Sequence, residues 1–185
     1  MLGLPTSGTN FRLTDPVAFR SSVQGSRNEK ASDVPPEVEF LPYDEAFLTL
    51  SWDWLTDPEI KALTMTPDFD PAAQARWYES LPGRSDYLIW GVRHAGKPVG
   101  VCGLKGIAEG AGEYWGYIGD KSCWGQGIGG RMVGFVEEAA RERGLERLWL
   151  KVWDRNPRAQ RLYERLGFRL DRVEGDVVIL SKPLY

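Results

Sequence analysis

Histidine is nearly missing from this chain: His94 is the only one in 185 residues. A Ser-His or Cys-His catalytic pair would have to use it, and it falls in HAGKP, read as a hairpin turn, a poor place for a buried base. Cysteine is almost as scarce. Cys102 and Cys123 fall in different elements without ligand-like spacing, so neither a metal site nor a structural disulfide is expected. No apolar run reaches the roughly eighteen residues of a membrane span, and no membrane partner is expected. Positive charge is not in excess: 23 Lys and Arg stand against 26 Asp and Glu, a net charge of −3. Nucleic acid is held by clustered basic residues, so it too is not expected as a partner. The opening MLGLPTSGTNFRL has no basic segment followed by an apolar one, which argues against a secretory signal and for a cytoplasmic protein.

Glycine, by contrast, is plentiful, and four glycines crowd one loop. The stretch YIGDKSCWGQGIGGRMVGFV, from Tyr117 to Val136, reads as strand, loop and helix. Gly125, Gly127, Gly129 and Gly130 leave backbone N–H groups unobstructed at the start of that helix, where the helix dipole is positive. Exposed amides and a positive helix end together suit a phosphate or pyrophosphate. A phosphorylated ligand is expected.

Around that loop the pattern is orderly. Residues 1–36 are rich in Ser, Asn, Gly and charge and are expected to form a flexible arm; a dimer arm is the second reading and leaves a homodimer open. From residue 37 onward one domain is expected. VEFLPY reads as a strand, and DEAFLTLSWDWL as a helix opened by Asp44. Asp57 and Pro58 open a second helix, and PAAQARWYESL makes a third. YLIWGVR, PVGVCGLKG and EYWGYIG read as three hairpin-linked strands. The glycine-loop helix follows, then the alternating strand LERLWLKVWD, a helix capped by Asn156, and a closing hairpin. The order is β-α-α-α-β-β-β-α-β-α-β-β, an α/β (α+β) arrangement with a mixed sheet and helices on both faces.

Two readings of the glycine loop compete. Gly125, Gly127 and Gly130 satisfy the dinucleotide pattern G-x-G-x-x-G, with Asp154 downstream as the acidic residue, which would make this an NAD(P)-binding domain. In that fold the first glycine follows its strand directly, whereas DKSCW intervenes here. Further βα units should also follow the acidic residue, yet residues 155–185 read as one helix and a hairpin.

The second reading explains more of the chain. WGQGIGGRM followed by NPRAQRLYERLGF resembles the acyl-CoA-binding core of the GNAT family of N-acetyltransferases. The first segment matches the family's Q/R-x-x-G-x-G/A pyrophosphate loop, with Trp124 where Arg or Gln is usual. The second matches its N-x-x-A-x-x-L-Y-x-x-x-G-F helix through Asn156, Ala159, Leu162, Tyr163, Gly167 and Phe168. The W-G-x-G-I-G form is similar to the branch that acetylates ribosomal-protein alanines and nucleotide-linked amino sugars. The resemblance implies a mostly antiparallel sheet of about seven strands. It also implies acetyl-CoA as co-substrate, without a metal, and acetyl transfer to a primary amine.

Site residues follow from that resemblance. Ile118, Trp124, Gly125, Gln126, Gly127, Ile128, Gly129, Gly130, Arg131, Asn156, Ala159 and Tyr163 are expected to hold acetyl-CoA, Arg131 being the preferred phosphate contact. Tyr163 matches the family's general acid; as an unassigned residue it would read as a core aromatic. Glu113 and Tyr114 stand on the strand where the family often places its base. Adjacent strand residues face opposite ways, so only one is expected to reach the site, and a solvated strand end is the other reading of Glu113. Family acceptors dock on the segment between the first two strands. There Trp52, Trp54 and Trp77 could stack on a base or sugar, and Asp53 and Asp57 could recognise a cationic amine. A small-molecule amine, favoured as a nucleotide-linked amino sugar, is therefore the expected acceptor. A protein amino terminus and an aminoglycoside-like amine are the alternatives, and a catalytically silent CoA-binding module is the alternative of another class.

Overall fold

The computed structural model describes residues 37–185; the expected arm over residues 1–36 lies outside the described residues. The chain runs β1 (Val38–Pro42), α1 (Glu45–Thr56), α2 (Pro58–Thr64), α3 (Pro71–Ser80), β2 (Leu88–His94), β3 (Lys97–Ala108) and β4 (Ala111–Ile118). It continues through α4 (Ile128–Glu142), β5 (Arg147–Trp153), α5 (Pro157–Arg165), β6 (Arg169–Glu174) and β7 (Val177–Pro183). That is the expected order.

Helix starts are fixed by short polar side chains. Asp44 accepts from the amides of Ala46 and Phe47, Asp57 from Glu59 and Ile60, Asp70 from Ala73, and Asn156 from Ala159. Each satisfies amides that a helix start leaves without partners, and three of these helices carry Pro in the first turn, where its missing N–H costs nothing.

The strands form one sheet in the order β1-β2-β3-β4-β5-β7-β6. Every neighbouring pair is antiparallel except β4 and β5. The mostly antiparallel seven-stranded sheet is thus observed, and a doubly wound dinucleotide fold, which needs a parallel sheet, is not.

Neighbouring residues of β2 show that both faces are covered. Trp90 meets Phe135 of α4 edge-on at 5.0 Å, while the bare face of Gly91 lies under the ring of Phe47 in α1. Side chains alternate across a strand, so α1 and α4 lie on opposite sides of the sheet. On the α4 side Ile128, Met132, Val133, Val136 and Ala140 are buried against the sheet. Each of the large ones contributes about 1.5–3 kcal/mol on leaving water.

His94 departs from expectation. The turn is Ala95–Gly96, both at positive φ (49° and 77°), and His94 is the last residue of β2, paired with Lys97. It is buried, with Nε2 3.2 Å from Gln126 Oε1 in the glycine loop and no partner at Nδ1. It stays outside the cavity described next.

Candidate active site

β4 and β5 pair only at Ala111–Arg147, Gly112–Leu148 and Glu113–Trp149, and then diverge. β3 holds β4 on one side and β7 holds β5 on the other through the diverging stretch, so the gap between them stays open. The glycine loop closes its far end. Gly125 and Gly127 adopt φ of 85° and 79°, where a side chain is strained, and Gly127 caps α4. Within the loop the amides of Gly125, Gln126, Gly127, Ile128 and Gly129 have no backbone acceptor among the described residues. They present a cluster of donors at the positive end of a fifteen-residue helix.

Gap and loop together border a cavity of about 730 Å³. Ten of the twelve expected cofactor residues line it: Ile118, Trp124, Gly125, Gly127, Ile128, Gly129, Gly130, Asn156, Ala159 and Tyr163. Trp124 donates from Nε1 to the Ile118 carbonyl at 2.9 Å, so the residue in the usual Arg or Gln position ties the loop to the end of β4. Arg131 and Gln126 do not line the cavity. Arg131 points outward from the exposed side of α4. Gln126 is engaged elsewhere, contacting His94 and donating to the Ser122 carbonyl at 2.9 Å. Arg158 lines the cavity instead, its guanidinium 5.4 Å from the centre of the Trp124 ring. Its position two residues after the Asn156 cap was the available signal.

Tyr163, Glu113 and Tyr114 all border the same cavity. Tyr163 meets Tyr114 and Phe168 edge-on, at 6.0 and 5.9 Å between ring centres. Burial pushes its hydroxyl up to about 12, so it is a protonated donor at neutral pH. Burial, with Tyr163 and Cys102 adding to it, holds the Tyr114 hydroxyl well above the usual tyrosine range, which makes it a poor base. Glu113 is 7% exposed, and Lys105 Nζ lies 3.1 Å from its carboxylate. It is not a solvated strand end. The expectation that only one of the adjacent pair reaches the site also fails, because the gap opens both faces of the sheet to one cavity.

The family model of the GNAT acetyltransferases matches residues 48–168. The chain belongs to the GNAT acetyltransferase family. No curated protein matches its sequence. Among solved structures, the fold is similar to spermidine N-acetyltransferase from Vibrio cholerae in complex with CoA and spermine, at 17% identity and a TM-score of 0.72 over 80% of this chain and 95% of that one. A domain from Methanocaldococcus jannaschii matches at 20% identity and a TM-score of 0.70, covering 80% and 99%. The Campylobacter jejuni N-acetyltransferase PseH matches at 16% and 0.61, covering 81% and 99%. As a GNAT enzyme, the protein moves acetyl from acetyl-CoA to an amine.

The acceptor residues expected of this GNAT chain lie elsewhere. None of Trp52, Asp53, Trp54, Asp57 and Trp77 lines the cavity. Trp54 is lodged on the bare Cα of Gly119 and meets Tyr117 edge-on, so its ring is packing. Trp52 packs on Phe69, and Trp77 on Tyr43 and Tyr87. Asp57 caps α2 and pairs with Lys121 at 2.8 Å; the pair and the cap hold its carboxyl below the usual range. Asp53 is exposed outside the cavity. From α1, α2 and the turn after them, the side chains that border the cavity are instead Leu55, Ile60, Leu63, Met65 and Pro67, with Thr64 and Thr66.

Proposed function

We propose that this GNAT enzyme acetylates the primary amine of a small molecule by direct transfer from acetyl-CoA. One observation carries the reading: the unpaired loop amides, a buried carboxylate and a protonated tyrosine border a single cavity along the β4–β5 gap. The amides from Gly125 to Gly129 hold the pyrophosphate, and Arg158 supplies a cation beside them. The pantetheine arm lies along the unpaired edge of β4 beyond Glu113, adding to the sheet as a strand would.

Chemistry then needs a neutral nucleophile and a proton for the departing thiolate. Glu113 takes the proton from the acceptor ammonium, the amine nitrogen attacks the thioester carbonyl carbon, and the C–S bond breaks. Tyr163 donates its proton to the leaving sulfur and is re-protonated by the second proton lost from the nitrogen of the tetrahedral intermediate, so the neutral amide and the CoA thiol leave together. Its raised hydroxyl keeps that proton available across the neutral range.

Trp52, Asp53, Trp54, Asp57 and Trp77, the side chains that would favour a nucleotide-linked amino sugar, lie outside the cavity and lend that acceptor no support. Relatives of this fold have been solved with CoA bound, one of them also with spermine, which fits a CoA-binding cavity here and a small amine as acceptor. Thiol release from acetyl-CoA, followed against a panel of small amines and amino-terminal peptides, tests the proposal. Turnover of a small amine supports it; turnover of peptides alone would replace it with protein amino-terminal acetylation.

A further inference from the structure

The walls of the acceptor half of the cavity narrow the choice of amine. We infer that the acceptor is a monoamine with an apolar or aromatic body, an inference that rests on reading this cavity as the acetyl-transfer site. Tyr117 on β4 donates to Ser51 of α1 at 2.9 Å, which places α1 and α2 on the Tyr117 face of the sheet. Glu113 and Trp115 share that face by strand alternation. Leu55, Ile60, Leu63, Met65 and Pro67 wall the cavity from the helix side, with Trp115 from the sheet. Thr64 and Thr66 are the polar side chains of that helix-side wall, and they bond each other at 2.6 Å; Thr64 also donates to the Ile60 carbonyl at 2.8 Å.

The carboxylates at the start of α2 and around the start of α3 are already engaged, and Asp53 is exposed outside the cavity. Asp57 caps α2 and shares Lys121 with Glu59, each at 2.8 Å. Asp68 pairs with Lys61, and Asp70 caps α3. Glu113 is the only carboxylate lining the cavity among the described residues, and Lys105 is already beside it. One ammonium can be received there. A second ammonium of a polyamine would leave water for an apolar wall, with Lys105 repelling it. Sugar hydroxyls would likewise lose water for Leu, Ile and Met side chains that offer no hydrogen bond. An alkyl or aryl body loses nothing on that wall and gains from leaving water.

The test measures kcat/KM by thiol release with 2-phenylethylamine, n-hexylamine, spermidine and a uridine-diphosphate-linked amino sugar, alongside calorimetry with acetyl-CoA. The two monoamines are expected to exceed spermidine and the sugar by about tenfold or more. Met65→Asp adds a second arm: Met65 has φ of 53°, which Asp adopts more readily, so the fold should be kept. That variant should lose about tenfold for 2-phenylethylamine and gain for spermidine, with acetyl-CoA affinity unchanged. Preference for spermidine or the amino sugar, with acetyl-CoA bound normally, overturns the monoamine inference and leaves the acetyl-transfer reading standing. Failure to bind acetyl-CoA, or no turnover of any amine, overturns both.

Discussion

Trp124 and Ile118 are joined by a 2.9 Å hydrogen bond from the indole Nε1 to the backbone carbonyl. The glycine loop is thereby fastened to the last residue of β4, so that the unpaired loop amides and the free edge of β4, which we propose take the pyrophosphate and the pantetheine arm, keep a fixed spacing. Trp124→Phe keeps a ring under Arg158 and removes the N–H. A single neutral hydrogen bond contributes about 1 kcal/mol, so acetyl-CoA KM should rise roughly fivefold with kcat little changed. Trp124→Ala, which also removes the surface on which Arg158 rests, should raise it further. Steady-state kinetics at varied acetyl-CoA decides; a drop in kcat alone would detach Trp124 from cofactor binding.

Tyr163→Phe keeps the edge-on contacts with Tyr114 and Phe168 and deletes the proton. Loss of a general acid should lower kcat by roughly 10²–10⁴-fold, with acetyl-CoA affinity and thermal midpoint near wild type. Full turnover in this variant would return Tyr163 to the role of a core aromatic.

Burial raises the hydroxyls of both Tyr43 and Tyr163 to about 12, against an ordinary value of 10.0. The folded chain therefore keeps protons that the unfolded chain gives up first. Their stabilisation is complete below pH 10 and is lost as pH rises through 12. Thermal melts should be flat with respect to these groups up to pH 10 and then decline, less steeply in Tyr163→Phe. An identical alkaline decline in the variant would contradict the assigned shift.

Glu113→Gln removes the proposed proton acceptor while preserving shape. Activity should fall about 10²-fold or more, and raising the pH should recover part of it, because more of the amine is then already neutral. Lys105 is 42% exposed, so losing its partner should cost less than about 1 kcal/mol of stability. A large loss of stability with little loss of turnover would make the pair structural only.

Much of the fold was legible in the chain because its signals are local. Asp44, Asp57 and Asn156 each announce a helix start within three residues of the amides they cap. The glycine loop was legible for the same reason: the freedom it needs belongs to Gly125 and Gly127 themselves. The acceptor side was not. Asp57 as a cap and Asp57 as an amine-binding carboxylate look alike in sequence, and only Lys121, brought from beyond β4, shows that its charge is engaged. Trp54 as a stacking platform and Trp54 as packing differ only by Gly119, likewise distant in the chain. Arg131 and Arg158 both flank the phosphate motif, and which one reaches the cavity depends on how α4 and α5 are rotated against the sheet.

Whether the glycine loop seats acetyl-CoA is decided by calorimetric titration of acetyl-CoA into Gly129→Asp and Gly129→Ala. A Cβ at Gly129 meets only Leu162 Cδ2, at 3.0 Å, the far end of a side chain that can shift. Gly129→Ala should therefore bind within about tenfold of wild type, the equivalent of 1.4 kcal/mol. Gly129→Asp sets a carboxylate against the pyrophosphate and should show no measurable binding while retaining the wild-type circular dichroism spectrum. Unchanged acetyl-CoA affinity in folded Gly129→Asp would mean that the cofactor binds elsewhere.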